Sequence, residues 1–175
     1  QSIKNFESIG YYASRQLLFG GIIGFAAFFV TQWIPYRFWK KMALPMMIFS
    51  FILLVLLFIP EFSFSSGGAR RWINLGLVTF QPSEILKLSF IIYLASWLDA
   101  RRKDVSSFSY GFIPFSLMLA IVGMFLIMQP DIGTLGVISL TAVILYFLGG
   151  GKKSQIISLG ILGLLLVYVL AHTAP

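Results

Sequence analysis

No cysteine occurs in the chain, so disulfides and thiolate metal sites are excluded from the start. Acid is scarce as well: six Asp and Glu stand against thirteen Lys and Arg, with a single histidine. Charged residues make up 11% of the sequence, where ordinary globular chains carry roughly 25%. With so little charge, 58% hydrophobic and 17% aromatic residues, and a mean hydropathy of +0.91, a soluble domain is excluded. No Walker loop, dinucleotide-binding fingerprint or zinc spacing is present either. What is present is a series of apolar runs long enough for bilayer helices, and the composition describes an all-α polytopic membrane protein.

The runs between polar breaks predict six transmembrane helices, at about 16–34, 42–59, 83–98, 111–128, 132–149 and 154–171. An 18-residue helix covers ~27 Å at ~1.5 Å per residue, close to the hydrocarbon thickness of a bilayer. Short cytoplasmic loops are enriched in Lys and Arg, and alternate loops here differ. Arg37, Lys40 and Lys41 follow the first span, Arg101, Arg102 and Lys103 the third, and Lys152 and Lys153 the fifth. These loops are assigned to the cytoplasm. Lys4, Arg15, Arg70, Arg71 and Lys87 are then left outside or near the outer surface, and the loop from Arg70 to Gln81 faces outward. The net charge of +7 is accounted for by these dispersed flanking residues, which contact membrane lipids, so no nucleic-acid partner is expected. The chain starts at Gln1 and reaches Pro175 just after a helix, from which a fragment is expected. Residues 1–15 lack the basic start and cleavage site of a signal peptide.

Ionisable groups at a membrane boundary are costly and tend to mark function, which singles out Arg70, Arg71, Glu84 and Lys87. Two outward helix starts share a pattern: Gln81-Pro82-Ser83-Glu84 opens the third span and Gln129-Pro130-Asp131 the fifth. Ser83 and Asp131 each suit an N-cap, with acidic charge at the positive helix end. Lys87 follows Glu84 by three residues and shares its helical face, so the two can pair. That pair is either a structural ion pair or the wall of a polar cavity. A lysine near two helix N-termini and two arginines suits a diphosphate. Trp72 reads as an interfacial anchor, and His172 as a boundary residue. The glycines at 20, 21 and 24 read as helix packing and those at 149–151 as a turn.

The ordered runs Gly68-Ala-Arg-Arg-Trp-Ile, Gln81-Pro-Ser-Glu-x-x-Lys87 and Gln129-Pro-Asp-x-Gly133-Thr134 resemble the SEDS family (shape, elongation, division, sporulation) of bacterial membrane proteins. The resemblance covers essentially all 175 residues, and the Gly-Ala-Arg-Arg-Trp form is more similar to the cell-division members than to the elongation members. It implies a peptidoglycan glycosyltransferase of ten transmembrane helices, of which this chain looks like helices two to seven. Such an enzyme polymerises lipid II outside the bacterial cytoplasmic membrane and releases undecaprenyl diphosphate. It works with a class B penicillin-binding protein and other divisome membrane proteins. The family's catalytic aspartate lies in an outer loop after the seventh helix, beyond Pro175, so by resemblance no catalytic residue falls in this chain and the chain alone is expected to be inactive. Arg70, Arg71, Glu84 and Lys87 match cavity and substrate-binding positions. Trp72, Gln81, Pro82, Ser83, Gln129, Pro130, Asp131, Gly133 and Thr134 match motif positions. No metal ligand or cofactor is identified, and divalent-cation assistance is left open by these residues. The rival readings are a lipid II flippase and a divisome scaffold.

Overall fold

The computed structural model describes residues 20–59, 63–66, 69–74 and 79–173. Lys4, Arg15 and the side chain of Arg70 lie outside the described residues. The chain divides into two compact units, 1–41 and 42–175.

The described residues hold six α-helices: α1 (Ile22–Trp33), α2 (Tyr36–Leu56), α3 (Pro82–Ala100), α4 (Ile113–Met128), α5 (Ile132–Leu148) and α6 (Lys153–Thr173). A π-helical turn, Phe108–Phe112, runs directly into α4, and together they make one apolar helix of 21 residues. That helix and α2, also 21 residues, each reach ~31 Å, enough to cross a bilayer. The basic stretch Arg37, Lys40 and Lys41 is part of α2 rather than a loop. Charge interrupts an apolar run without interrupting a helix, because Lys and Arg are good helix formers.

The first unit contains α1 and the opening turns of α2. A Cβ added at Gly20, Gly21 or Gly24 would meet nothing within 4 Å, so the packing expected of these glycines is not seen among the described residues.

The all-α expectation needs one correction. Between α2 and α3 lies a small antiparallel sheet of β1 (Ser63–Ser66), β2 (Ala69–Asn74) and β3 (Thr79–Phe80), in the order β1-β2-β3. Ser63 pairs with Ile73, Phe64 with Trp72 and Ile73 with Phe80, and the register shifts between Phe64 and Ser65. The segment is too short and polar to span, and strand pairing satisfies its backbone, with Ile73 opposite Phe80.

In the second unit α5 packs against both α3 and α4. Leu86, Phe90 and Leu94 recur every four residues on the inner face of α3, as Ile138, Ala142 and Tyr146 do on α5, and all are buried. Phe115 of α4 stacks on Tyr146 at 4.2 Å between ring centroids. The starts of α3 and α5 meet through Ser83 and Asp131, and their ends meet where Leu98 lies against Gly149. These two helices therefore run parallel, with α4 returning between them in sequence. In lipid, where apolar burial alone gives helices little reason to associate, interhelical polar contacts add about 0.6 kcal/mol on average. One such contact joins α2 to α3 in the core: Ser50 Oγ and Ser89 Oγ are 2.7 Å apart, and each hydroxyl also reaches a carbonyl of its own helix.

Candidate functional site

Proline sets the first wall of the site. Pro82 occupies the first turn of α3, where its missing N–H costs no hydrogen bond, and Gln81 before it is held extended at φ −102° and ψ 113°. Gln81 is thereby the residue at the N-cap, and Ser83 lies one step inside the helix. This corrects the capping role expected of Ser83: its hydroxyl is turned away from the helix's own amides and donates to Asp131 Oδ2 at 2.9 Å. Gln81 Nε2 donates to Ser83 Oγ at 2.8 Å and to the same Asp131 oxygen at 3.0 Å.

Asp131 is the hub. Its other oxygen, Oδ1, accepts from Thr134 N at 3.3 Å and so caps α5, while its own N–H donates to the Leu126 carbonyl at 2.8 Å and closes the α4–α5 turn. Burial pushes the carboxyl up, but the bonds from Thr134 and Ser83 and the charge of Arg71 outweigh it and hold Asp131 below its ordinary value. A buried carboxylate with three donors and a nearby cation is a satisfied structural anion.

Arg71 reaches this hub from the sheet. Its Nε donates to the Gln129 carbonyl at 3.3 Å, and an Nη donates to the Pro130 carbonyl. These carbonyls follow the negative end of α4, a favourable place for a cation. Gln129, itself buried, donates through Nε2 to the Leu54 carbonyl near the end of α2 at 3.4 Å. Arg71, Gln81, Ser83, Gln129, Pro130, Asp131 and Thr134 are thus brought together, joining β2, the end of α2 and the starts of α3 and α5. Pro82 is buried beside them, and Trp72 is half-buried next to Arg71 in β2. A Cβ at Gly133 would meet nothing within 4 Å.

Glu84 and Lys87 are paired as their spacing predicts, with Lys87 Nζ 2.8 Å from both carboxylate oxygens. Their side chains are 59% and 27% exposed, respectively, whereas the neighbouring Ser83 and Leu86 are buried. Lys87 lies four residues, about one turn, past Ser83 and so beside the face that meets Asp131, while Glu84 is turned further toward the open side. The motif charges divide into a cluster around a buried carboxylate and an open ion pair. Among the described residues no group of three or more His, Asp or Glu side chains could hold a metal ion.

A second polar cluster had no counterpart in the motifs. At the far end of α5, Tyr146 OH donates to the Val105 carbonyl at 2.9 Å and lies 2.9 Å from Gln155 Oε1. Gln155 Oε1 also accepts from Lys152 N at 3.1 Å, and its Nε2 donates to the Ser106 carbonyl at 3.2 Å. The turn expected at Gly149–Gly151 is found here: Gly150 has φ +104°, which a side chain would strain, and a Cβ on Gly151 would collide with the Tyr146 ring. His172 lies against Tyr168, with ring centroids 4.3 Å apart and the planes tilted, on an exposed turn of α6.

The sequence profile of the cell cycle protein family named for FtsW, RodA and SpoVE matches residues 1–175. The chain is similar to a probable peptidoglycan glycosyltransferase FtsW of Geobacter sulfurreducens, at 36% identity over 95% of this chain and 44% of the relative. It is 35% identical to the stage V sporulation protein E of Bacillus subtilis, over 97% of this chain and 45% of that protein. Among solved structures it resembles the rod shape determining protein RodA of Thermus thermophilus, with a TM-score of 0.65 and 28% identity over 78% of this chain and 44% of the other. A chain of a peptidoglycan synthase complex that coordinates polymerization and crosslinking matches with a TM-score of 0.70 and 26% identity, over 84% of this chain and 43% of that one. The chain therefore spans less than half the length of these relatives.

Proposed function

The chain belongs to the FtsW, RodA and SpoVE family of cell cycle proteins, and we propose that it serves a peptidoglycan glycosyltransferase that polymerises lipid II at the outer face of the bacterial cytoplasmic membrane during cell division. Its six helices form part of a ten-helix bundle, with the Arg70–Gln81 loop outward and the Arg101–Lys103 and Lys152–Lys153 loops cytoplasmic. A class B penicillin-binding protein is the proposed partner. The similarity to glycosyltransferases named FtsW and to a chain of a peptidoglycan synthase complex supports this reading.

The observation that carries the site is the division of labour among the motif charges. The Asp131 hub fixes the ends of α2, α3 and α5, while the Glu84–Lys87 pair stands open on α3 one turn from that hub. In the proposed reaction a sugar hydroxyl of one chain attacks the anomeric carbon of a lipid-linked sugar. The bond to the diphosphate breaks, undecaprenyl diphosphate leaves with the bonding electrons, and the hydroxyl proton passes to a carboxylate that the family resemblance puts in a segment following residue 175. Lys87 and Arg70 hold the diphosphate and offset its growing charge, and Glu84 positions Lys87. Among the described residues Arg71 bonds only the Gln129 and Pro130 carbonyls, through two of its five N–H donors, and its remaining donors are proposed to turn toward a phosphate.

A chimera in which these 175 residues replace the matching segment of the G. sulfurreducens relative provides the test. It should convert lipid II to glycan polymer in detergent, and Lys87→Ala should lower that rate by roughly a hundred-fold. A folded Lys87→Ala chimera with unchanged polymerisation overturns the role of Lys87. Movement of lipid II across vesicles without any polymer puts a flippase in place of the enzyme.

A further inference from the structure

The end of the bundle opposite the motifs carries an open groove of about 330 Å³ between the last turns of α3 and α5. One wall is Ala95, Leu98 and Arg102, and the other is Leu145, Leu148 and Gly149. Asp99 also lines it and is already partnered. Arg102 is the cation in the lining, and Leu148, 74% exposed, stands at the mouth. The groove thus sets a guanidinium beside a leucine-lined channel, one phosphate-binding group next to a path for an acyl chain.

Its surroundings add charge of the same sign. The turn after α3 contributes Arg101 and Lys103, and Lys152 before α6 and Lys153 at its first position add two more, against Asp104 in the turn after α3. These turns are fixed to one another rather than merely adjacent in sequence order: Gln155 binds the Ser106 carbonyl on one side and the Lys152 amide on the other, and Tyr146 binds the Val105 carbonyl. Arg101 lies over the Trp97 ring at 5.7 Å, so its guanidinium is held next to an aromatic that packs on the core. Basic pockets between the ends of membrane helices bind anionic lipid headgroups, and each Lys or Arg near the surface adds ~1 kcal/mol to that attraction.

We propose that this groove is a binding site for an anionic phospholipid of the membrane, with the phosphate on Arg102, an acyl chain along Leu145 and Leu148, and the flanking cations of the two pinned turns completing the headgroup site. The proposal rests on the membrane reading given above. It differs from general attraction of a positive loop to a negative surface, because it requires the apolar wall and a particular arginine.

The test uses the chain purified in neutral detergent, with cardiolipin and phosphatidylcholine as probes and native mass spectrometry to count retained lipid. Cardiolipin should be retained preferentially, and Arg102→Gln should weaken it about five-fold, with a similar factor for each of Lys152→Gln and Lys153→Gln. Leu145→Ser with Leu148→Ser should weaken retention although no charge changes, and Arg37→Gln with Lys41→Gln should leave it unaltered. Melting in lipid-free detergent checks folding, and Arg102→Lys, which keeps the charge, covers an Arg102→Gln variant that fails to fold by retaining intermediate binding. Loss from Arg37→Gln with Lys41→Gln as large as that from Arg102→Gln, or no loss from the leucine changes, overturns the proposal in favour of diffuse electrostatics. Displacement of cardiolipin by an acidic peptide overturns it in favour of a protein partner. Failure of the chain to enter phosphatidylcholine vesicles strikes the membrane reading instead, a different result from entry without lipid preference.

Discussion

The parallel helices α3 and α5 are tied together at both ends, and the two ties are built from different chemistry. At the motif end a buried carboxylate collects Gln81, Ser83 and Thr134 and faces Arg71. At the opposite end a phenol and an amide, Tyr146 and Gln155, hold two turns by their carbonyl and amide groups. The ionic tie recruits side chains from three separated segments, so it depends on the identity of each. The neutral tie borrows backbone, so it asks for few particular side chains and for space, which Gly151 supplies.

The contrast is sharpened or broken by measurement. The largest effect is expected from Asp131→Leu, which leaves the donors of Gln81, Ser83 and Thr134 without their acceptor and takes a negative charge from beside Arg71. The loss should be ~3–5 kcal/mol, since each of the three donors left unpaired costs ~1–3 kcal/mol, in unfolding of the detergent-solubilised chain. Next, Gly151→Ala forces a Cβ against the Tyr146 ring and should cost ~1–3 kcal/mol by the same measurement. Tyr146→Phe keeps the stack on Phe115 but leaves the Val105 carbonyl unpaired, for ~1–2 kcal/mol and faster amide exchange across 101–107. If Tyr146→Phe cost as much as Asp131→Leu, the two ties would be equivalent and the distinction would fail.

The smallest effect is in pH. Because the native state holds Asp131 below its ordinary value of 3.8, the associated stability is fully present above that value and is lost as pH falls through the lower native value. Acid below about pH 3.8 should therefore loosen the motif end first, read as exchange at the starts of α3 and α5, while the Tyr146 end, with no carboxylate in its bonds, keeps its protection. Ser83→Ala removes one of the bonds that lower Asp131 and should move the acid loss to higher pH.

This contrast also explains what could be seen in the sequence. Charge and proline in an apolar chain are conspicuous, so Arg71, Gln81, Ser83, Glu84, Lys87, Gln129 and Asp131 could be singled out, and the Glu84–Lys87 pairing followed from helical spacing alone. What spacing could not give was direction. Pro82 shifts Ser83 from cap to cross-helix donor one turn before Lys87, so one side of α3 carries a buried hydroxyl and then a part-exposed lysine. The sheet is not legible because the strand pattern around Trp72 and Ile73 is only a few residues long and is interrupted by Arg70 and Arg71. Tyr146 and Gln155 were hidden for the opposite reason: each is one neutral polar residue near a helix end, with partners up to 49 positions away. The only local hint was the three-glycine turn between them.

Being fastened at both ends has a mechanical consequence for α3 and α5. A slide along their common axis, or a roll of one past the other, must break a set of short bonds at each end at once, and neither set can relax the other. The pair acts as a girder. Any motion that opens or closes the face bearing Glu84 and Lys87 must carry α3 and α5 together, with the change of shape taken up in elements outside the pair.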